Sequence, residues 1–213
     1  MFWMPAVGVA SRNNDLTYGF GVFAQGGMGT EYSNTSMVCA GNGSAGLFRQ
    51  NCRSEVGVGR AMVPVSFNAS DRLTVGGSVD LVWAGMDLVM PMVTAGPNQQ
   101  VQFGSTDINT IRNNGRSAGT SMPGVPVGTA ALQIDSSNDN PFTGENFGYG
   151  FAGKLGATFQ VNDMFSIGAS YHSKTYMGDL DGGGTMRMSD GTNITSSQSV
   201  DIQINDFEWP SAY

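Results

Sequence analysis

The feature that most constrains the fold is an alternation of apolar residues with polar or small residues over long runs. From Leu16 to Ala24 every second residue is apolar, and the intervening residues are mainly Thr and Gly. The same period recurs from Leu73 to Trp83, from Tyr149 to Val161 and from Phe165 to Tyr171. Successive side chains of a strand point to opposite faces, so the pattern predicts strands with one apolar face. The first three of these runs extend over about 9–13 residues, whereas a strand usually has about five or six.

The turns between these runs are short and share one sequence form. Ser70–Gly76 and Asn162–Gly168 both read polar, Asp, any residue, apolar, Ser or Thr, apolar, Gly. Asn14–Gly19 has the same form with one residue fewer. Asn and Asp favour tight turns because their side chains hydrogen-bond the local backbone and tolerate positive φ. Each segment therefore predicts a tight hairpin turn.

The connections between the hairpins are much longer, at about 26–54, about 85–146 and about 178–198. A compact soluble domain rarely contains a structureless loop of about sixty residues. Short turns at one end and long loops at the other are typical of outer-membrane β-barrels, whose tilted strands need about 9–11 residues to cross the bilayer. The sequence thus predicts an all-β, antiparallel transmembrane β-barrel with its apolar faces toward lipid. A soluble β-sandwich with long variable loops is the alternative.

Composition agrees with a barrel and excludes several other classes. Charged residues make up 13% of the chain, whereas soluble globular domains contain about 25%. The formal net charge of −7 argues against a nucleic acid or an anionic membrane surface as the partner. No apolar run approaches the roughly 18 residues that a spanning helix requires. Together these values disfavour a typical cytosolic enzyme.

The number of strands predicts that residues 1–213 form part of a larger barrel. The smallest closed barrels of this kind have about eight strands, and the sequence shows about seven. Six strong strands and a weaker seventh are predicted near 2–12, 15–25, 55–68, 71–84, 148–161, 164–177 and Ser199–Asn205.

Several segments also carry a family resemblance. They are Gly19–Phe23 leading to Gly27–Tyr32, the hairpin from Val63 to Trp83, the hairpin from Gly148 to Lys174, and Asp206–Ser211. They resemble segments of the FadL/TodX family of outer-membrane transporters for long-chain fatty acids and other hydrophobic compounds, although His172 stands where that family usually has arginine. The resemblance implies a 14-stranded barrel, monomeric when complete, with an N-terminal hatch that opens for lateral diffusion into the membrane. About half of those strands are present here, and no segment resembles the hatch.

The resemblance implies passive uptake of hydrophobic molecules, most of all long-chain fatty acids, across the bacterial outer membrane. The partners are then the hydrophobic ligand and outer-membrane lipid, with no chemistry on the substrate, no enzyme activity and no cofactor. A non-specific porin is one alternative, although low charge and an apolar loop speak against its polar, charged constriction. A structural or adhesive surface barrel is the other.

An apolar segment at the start of the second long loop is the candidate for ligand capture. A loop should be polar, and methionine suits varied apolar ligands because it is flexible and polarizable. In the family, long extracellular loops form a hydrophobic groove that first captures the ligand. The candidate residues are Met86, Leu88, Val89, Met90, Met92 and Val93. The alternative is that they pack the loop onto itself or onto the barrel rim.

Four cationic candidates lie at polar positions of the strands, namely Arg60, Lys154, His172 and Lys174. They could pair with the carboxylate of a fatty acid in the lumen. The alternative, which we prefer, is that they balance lumen acids such as Asp80.

Cys39 and Cys52 flank a polar loop, which favours a disulfide in an oxidising compartment, with two free thiols as the alternative. A metal site is not expected, because the chain has one histidine and no CxxC motif.

Overall fold

The computed structural model describes residues 4–36, 39, 51–95, 100–103, 106–107, 131–138, 140, 143–190 and 192–213. Within them lies a 12-stranded sheet whose pairings are antiparallel. Among the described residues, no helix is long and apolar enough to span a bilayer. The strands are β1 (Ala6–Asn13), β2 (Leu16–Tyr32), β3 (Cys52–Ser70), β4 (Leu73–Ala95), β5 (Gln100–Phe103), β6 (Thr106–Asp107), β7 (Ala131–Ser136), β8 (Asn146–Asn162), β9 (Phe165–His172), β10 (Tyr176–Met177), β11 (Leu180–Ser189) and β12 (Ile194–Ile204).

Toward the tight turns, the strands follow the order β1-β2-β3-β4-β8-β9. β4 pairs with β8 as far as Met86 opposite Asn146, and from Leu88 onward it pairs with β7. β7 then pairs with β11, and β11 with β12. The sheet therefore continues past the end of the β4–β8 ladder into an extension built on β4, β7, β11 and β12.

The two faces of the sheet differ as the alternation predicts. One face carries large apolar side chains that are exposed, and the other carries mainly small or polar residues around an apolar centre. Such a continuous exposed apolar surface is expected of the lipid-facing wall of a barrel. Members of this outward face include Val63, Val65, Phe67, Val79, Leu81, Phe151, Leu155 and Phe159. The opposite face is the lumen side.

The strands extend into all three segments that the sequence predicts as loops. β2 continues to Tyr32 and β3 begins at Cys52, so the first loop is shorter than about 26–54. β4 continues to Ala95, and β7 also lies within about 85–146. β11 and the start of β12 lie within about 178–198. In β4 the alternation fades because this part of the strand is covered on both faces: Asp87 and Val89 are buried, and Met86, Leu88 and Met90 are half-buried.

Apolar residues on the lumen side form a small core. Its buried members are Val58, Val82, Ala84, Ala152 and Leu180, and the half-buried Met86, Met177, Ile204, Phe207 and Trp209 pack against it. The segment after β12 thus returns to the lumen and covers the apolar centre of the sheet.

The part of the sheet beyond the lipid-facing band has two local restraints. A disulfide joins Cys39 to Cys52 at the start of β3, with their Cα atoms 5.4 Å apart. In the turn between β11 and β12, the Asp190 carboxylate accepts the backbone N–H groups of Asn193 at 2.7 Å and Thr192 at 2.8 Å. These hydrogen bonds favour the charged form, so they hold the pKa of the Asp190 carboxyl below its ordinary value.

Candidate ligand-binding site

A β-bulge interrupts the wall between β2 and β3. Ala24 lies opposite Gly59, and the next pair is Gly26 opposite Val58, so Gln25 has no opposite residue in the ladder. A bulge bends its strand and locally disrupts the ladder, and bulges are frequent next to functional sites. The β2–β3 part of the wall is therefore irregular at Gln25.

A cavity of about 380 Å³ lies beside this bulge. That volume falls within the roughly 300–1,000 Å³ of small-molecule sites. Its lining is mainly apolar residues and glycines, drawn from both faces of the sheet. Val22, Ala24, Gly59, Trp83 and Phe147 belong to the outward face, and Phe23, Gly26 and Val58 belong to the lumen face. Residues whose side chains lie on either face of the wall thus border the cavity.

Glycine is required where Trp83 covers the wall of the cavity. A Cβ built on Gly59 would lie 2.2 Å from Cε2 of the Trp83 indole, far inside van der Waals contact. Trp83 and Gly59 are directly opposite each other on β4 and β3, so the indole lies flat across the neighbouring strand. The aromatic ring closes part of the outward face without a cross-strand side chain beneath it.

A buried carboxylate, that of Asp87, binds backbone groups on the outer side of the cavity. Asp87 is 2% exposed, and its Oδ1 accepts the backbone N–H groups of Glu145 at 2.8 Å and Asn138 at 3.3 Å. Its Oδ2 pairs with the guanidinium of Arg53. Gly144 lies against β4 so closely that a Cβ there would be 2.0 Å from a backbone nitrogen. Asp87 therefore positions the segment before β8 over the cavity.

Two of the predicted cations meet in the lumen around Asp80. The Asp80 carboxylate is fully buried and accepts hydrogen bonds from the guanidinium of Arg60 and from the Ser78 hydroxyl. The Lys154 ammonium lies 3.5 Å from the same carboxylate and 5.7 Å from the centre of the Phe23 ring. The contacts are those expected if Arg60 and Lys154 balance a lumen acid.

The other two cationic candidates, His172 and Lys174, have different surroundings. His172 is directly opposite Lys154 in the β8–β9 ladder. Lys174 follows β9, and its ammonium pairs with Glu208 at 2.8 Å and lies 5.2 Å from the centre of the Tyr176 ring. The structure therefore brings Arg60 and Lys154 together at Asp80, places His172 on the strand next to Lys154, and gives Lys174 a separate acidic partner.

The predicted capture segment lies in β4 rather than in a loop. Met86, Leu88 and Met90 occupy alternate positions that share the lumen side, whereas Val89 faces the other way. The ladder places Met92 opposite Leu132 and Val93 opposite Ala131. The role of these residues in capture stays a prediction.

Sequence reasoning did not find several residues of these surfaces. The pairing of β7 with β4 and with β11 extends the face of β4 that carries Met86, Leu88 and Met90. The residues added to this face are Leu132, Ile134, Met186 and Met188. Gly26, Gly59, Trp83, Asp87 and Trp209 were also missed. Of these residues, only Trp83 had a signal in the sequence, because it ends the alternating run that begins at Leu73. The other contacts depend on register and on the return of the chain after β12.

These features define a class of protein. A sheet with an exposed apolar outer face, a polar lumen face and tight turns at one end is part of an outer-membrane β-barrel, and an apolar cavity in its wall suits a hydrophobic ligand. The chain belongs to the outer membrane protein transport protein family (OMPP1/FadL/TodX), whose model matches residues 2–208. The resemblance found in the sequence is confirmed. The chain is accordingly part of a bacterial outer-membrane β-barrel of this family.

Solved structures of the same fold support this assignment. The toluene transporter TbuX of Ralstonia pickettii is 31% identical, with a TM-score of 0.74 over 97% of this chain and 48% of that chain. The toluene transporter TodX of Pseudomonas putida is 26% identical, with a TM-score of 0.74 over 98% of this chain and 48% of that chain. The monoaromatic hydrocarbon channel CymD, 22% identical with a TM-score of 0.70 over 98% of this chain and 47% of that chain, shows the fold alone. The chain thus spans about half the length of these structures. No curated protein sequence matches it.

Proposed function

We propose that this protein conducts uncharged hydrophobic molecules, of the size of a single aromatic ring, across the outer membrane. The cavity at the β2 bulge is the observation that carries the proposal. Among the residues described as lining it, the charged ones are Glu55 and Asp87, which are both acids. Both acids pair with Arg53, so the three residues together carry a formal charge of −1. A ligand with a carboxylate would meet this net negative charge, whereas a neutral hydrocarbon would not.

The lumen cations give a second reason to propose an uncharged ligand. Arg60 and Lys154 both contact Asp80, and Lys174 pairs with Glu208. A fatty-acid head group at these positions has to compete with an existing carboxylate partner. The relatives TbuX and TodX are toluene transporters, which makes a monoaromatic hydrocarbon the ligand class that we propose.

The path we propose leads from the extracellular extension to the lipid. The alternate residues Met86, Leu88 and Met90 on β4 offer the first apolar contact, as expected from the flexibility of methionine. The ligand then reaches the bulge and leaves through the wall cavity toward the apolar outer face. The complete barrel acts as a monomer in contact with outer-membrane lipid, and the ligand is not altered.

A long-chain fatty acid is the second candidate ligand. Arg60 and Lys154 carry two positive charges opposite the single negative charge of Asp80, which leaves a formal charge of +1 in this cluster. The apolar core around Val82 and Ala152 lies next to it in the sheet. A carboxylate near Lys154 with its chain along this core is the corresponding binding mode.

Uptake assays distinguish the two ligands. The full-length protein is placed in the outer membrane of a bacterial strain without other such channels, and uptake of radiolabelled toluene and oleate is measured. We expect protein-dependent toluene uptake, and toluene uptake reduced roughly tenfold or more by Gly57→Phe, because the Cβ of residue 57 opens into free space in the cavity. Gly153→Phe is the matched control, since Gly153 lies on the outward face away from the cavity. Protein-dependent oleate uptake without toluene uptake would establish the second candidate instead.

A further inference from the structure

The indole of Trp209 stands directly behind the bulge on the lumen side. A Cβ built on Gly26 would lie 2.8 Å from Cη2 and 3.4 Å from Cζ2 of Trp209. Gly26 is the first paired residue after the bulge and also lines the wall cavity. The edge of the indole therefore lies on the lumen side of a residue that lines the cavity, and Trp209 itself is not one of the lining residues.

Trp209 is held in this place from several sides. Its ring packs against the buried apolar cluster that includes Val58, another residue lining the cavity. Its carbonyl oxygen accepts the backbone N–H of Thr175 at 2.9 Å. Asp206, three residues earlier, has a φ of 60°, a left-handed conformation that turns the chain after β12. The position of the indole is thus fixed by the backbone as well as by packing.

We propose that Trp209 closes the lumen end of the wall cavity and limits the size of the ligand that passes. This inference rests on the proposed function, because it concerns the same cavity. The lack of a side chain at Gly26 leaves room for the indole edge, and the indole in turn fills the space that a larger ligand needs. Single-ring hydrocarbons pass beside it, and fused two-ring hydrocarbons are excluded.

Because Gly26 and Trp209 are in contact, the proposal can be tested by changing either residue. Uptake of radiolabelled toluene and naphthalene is measured with the full-length protein. Trp209→Ala is expected to raise the ratio of naphthalene to toluene uptake roughly tenfold, a change typical of a pocket that gains or loses a small apolar group. Gly26→Ala is expected to reduce toluene uptake by about the same factor, because the added methyl group displaces the indole into the path. Trp209→Phe combined with Gly26→Ala should restore toluene uptake, since the smaller ring makes room for the methyl group.

Gly153→Ala is the matched control, because Gly153 does not line the cavity and a Cβ there would meet only the Ser78 carbonyl oxygen, at an ordinary 3.6 Å. It should leave toluene uptake within about twofold of the wild type. If Trp209→Ala does not reach the membrane, Trp209→Phe alone should raise the same ratio by a smaller factor. An unchanged ratio in these Trp209 variants, with Gly26→Ala indistinguishable from Gly153→Ala, overturns the role of Trp209. Absence of toluene uptake by the wild type overturns the proposed function instead.

Discussion

Replacement of Asp80 by asparagine tests the charge cluster in the lumen. Asp80 is fully buried, and the side chain of its partner Arg60 is only 6% exposed. Asparagine keeps the shape of the side chain and one carbonyl oxygen for a hydrogen bond, but it removes the negative charge. The Arg60 guanidinium then stays buried without a counter-charge.

The expected loss of stability follows from the burial of both partners. Breaking a buried ion pair by removing one member costs about 3–5 kcal/mol, because the other charge stays desolvated. Lys154 adds little, since its side chain is 20% exposed and an ion pair open to water contributes about 0–1 kcal/mol. We therefore expect Asp80→Asn to lower the free energy of unfolding by about 3–5 kcal/mol.

Urea-induced unfolding of the full-length protein in lipid vesicles, followed by tryptophan fluorescence, measures this loss. The control is Asp80→Leu combined with Arg60→Met, which removes both charges and should stay closer to the wild type than Asp80→Asn. A loss below about 1 kcal/mol for Asp80→Asn would refute the reasoning, because it would show that water or another acid compensates the charge of Arg60.

Three further predictions concern the lipid face and the extension. Val79→Arg places a charge on the outward face and should cost about 2–4 kcal/mol, whereas Thr158→Arg on the lumen face should cost less, as measured by urea unfolding in vesicles. Reduction of the Cys39–Cys52 disulfide, which closes a separation of 13 residues, should cost about 3 kcal/mol in thermal unfolding followed by circular dichroism. The pKa of the Asp190 carboxyl is lower in the folded protein than its ordinary value of 3.8. The charged carboxylate therefore stabilises the turn fully above pH 3.8, and this stabilisation is lost as the pH falls through the pKa of the folded state. Hydrogen exchange in the β11–β12 turn should therefore be constant from neutral pH down to about pH 5, once corrected for intrinsic rates, and should increase only in stronger acid.

Each of these predictions has a contrary outcome. Equal costs for Val79→Arg and Thr158→Arg would contradict the assignment of the two faces. An unchanged melting temperature after reduction would mean that the disulfide does not restrain the unfolded chain. Protection in the turn that is the same in Asp190→Ala as in the wild type at neutral pH would show that the carboxylate does not hold the turn.

The membrane-facing half of the fold was predictable because lipid imposes a simple rule. Each strand there has one apolar and one polar or small face, so the alternation from Leu73 to Trp83 and from Tyr149 to Val161 directly indicated β4 and β8. The tight turns followed from Asn and Asp in the same way. The FadL/TodX family was recognisable from these hairpins and is confirmed.

The extension and the cavity could not be predicted, for two physical reasons. Strands covered on both faces lose their alternation, and β11 also contains the run Gly182–Gly184, which has a low strand propensity. The contacts of Trp209 with Gly26 and of Asp87 with Glu145 join residues far apart in the chain. They depend on register and on one unpaired residue at Gln25, for which the sequence has no periodic signal.

Deletion of Gln25 tests most directly whether the wall cavity is the path of the ligand. Without this residue the β2–β3 ladder can pair without a bulge, and the hydrogen bond of 2.7 Å from Arg60 to the Gln25 side chain is lost. Uptake of radiolabelled toluene by the full-length protein is then compared with that of Gln25→Ala, which loses the hydrogen bond but keeps the bulge. The wall-cavity path predicts that the deletion abolishes uptake and that Gln25→Ala retains most of it. Undiminished uptake by a folded deletion variant would contradict passage through the wall.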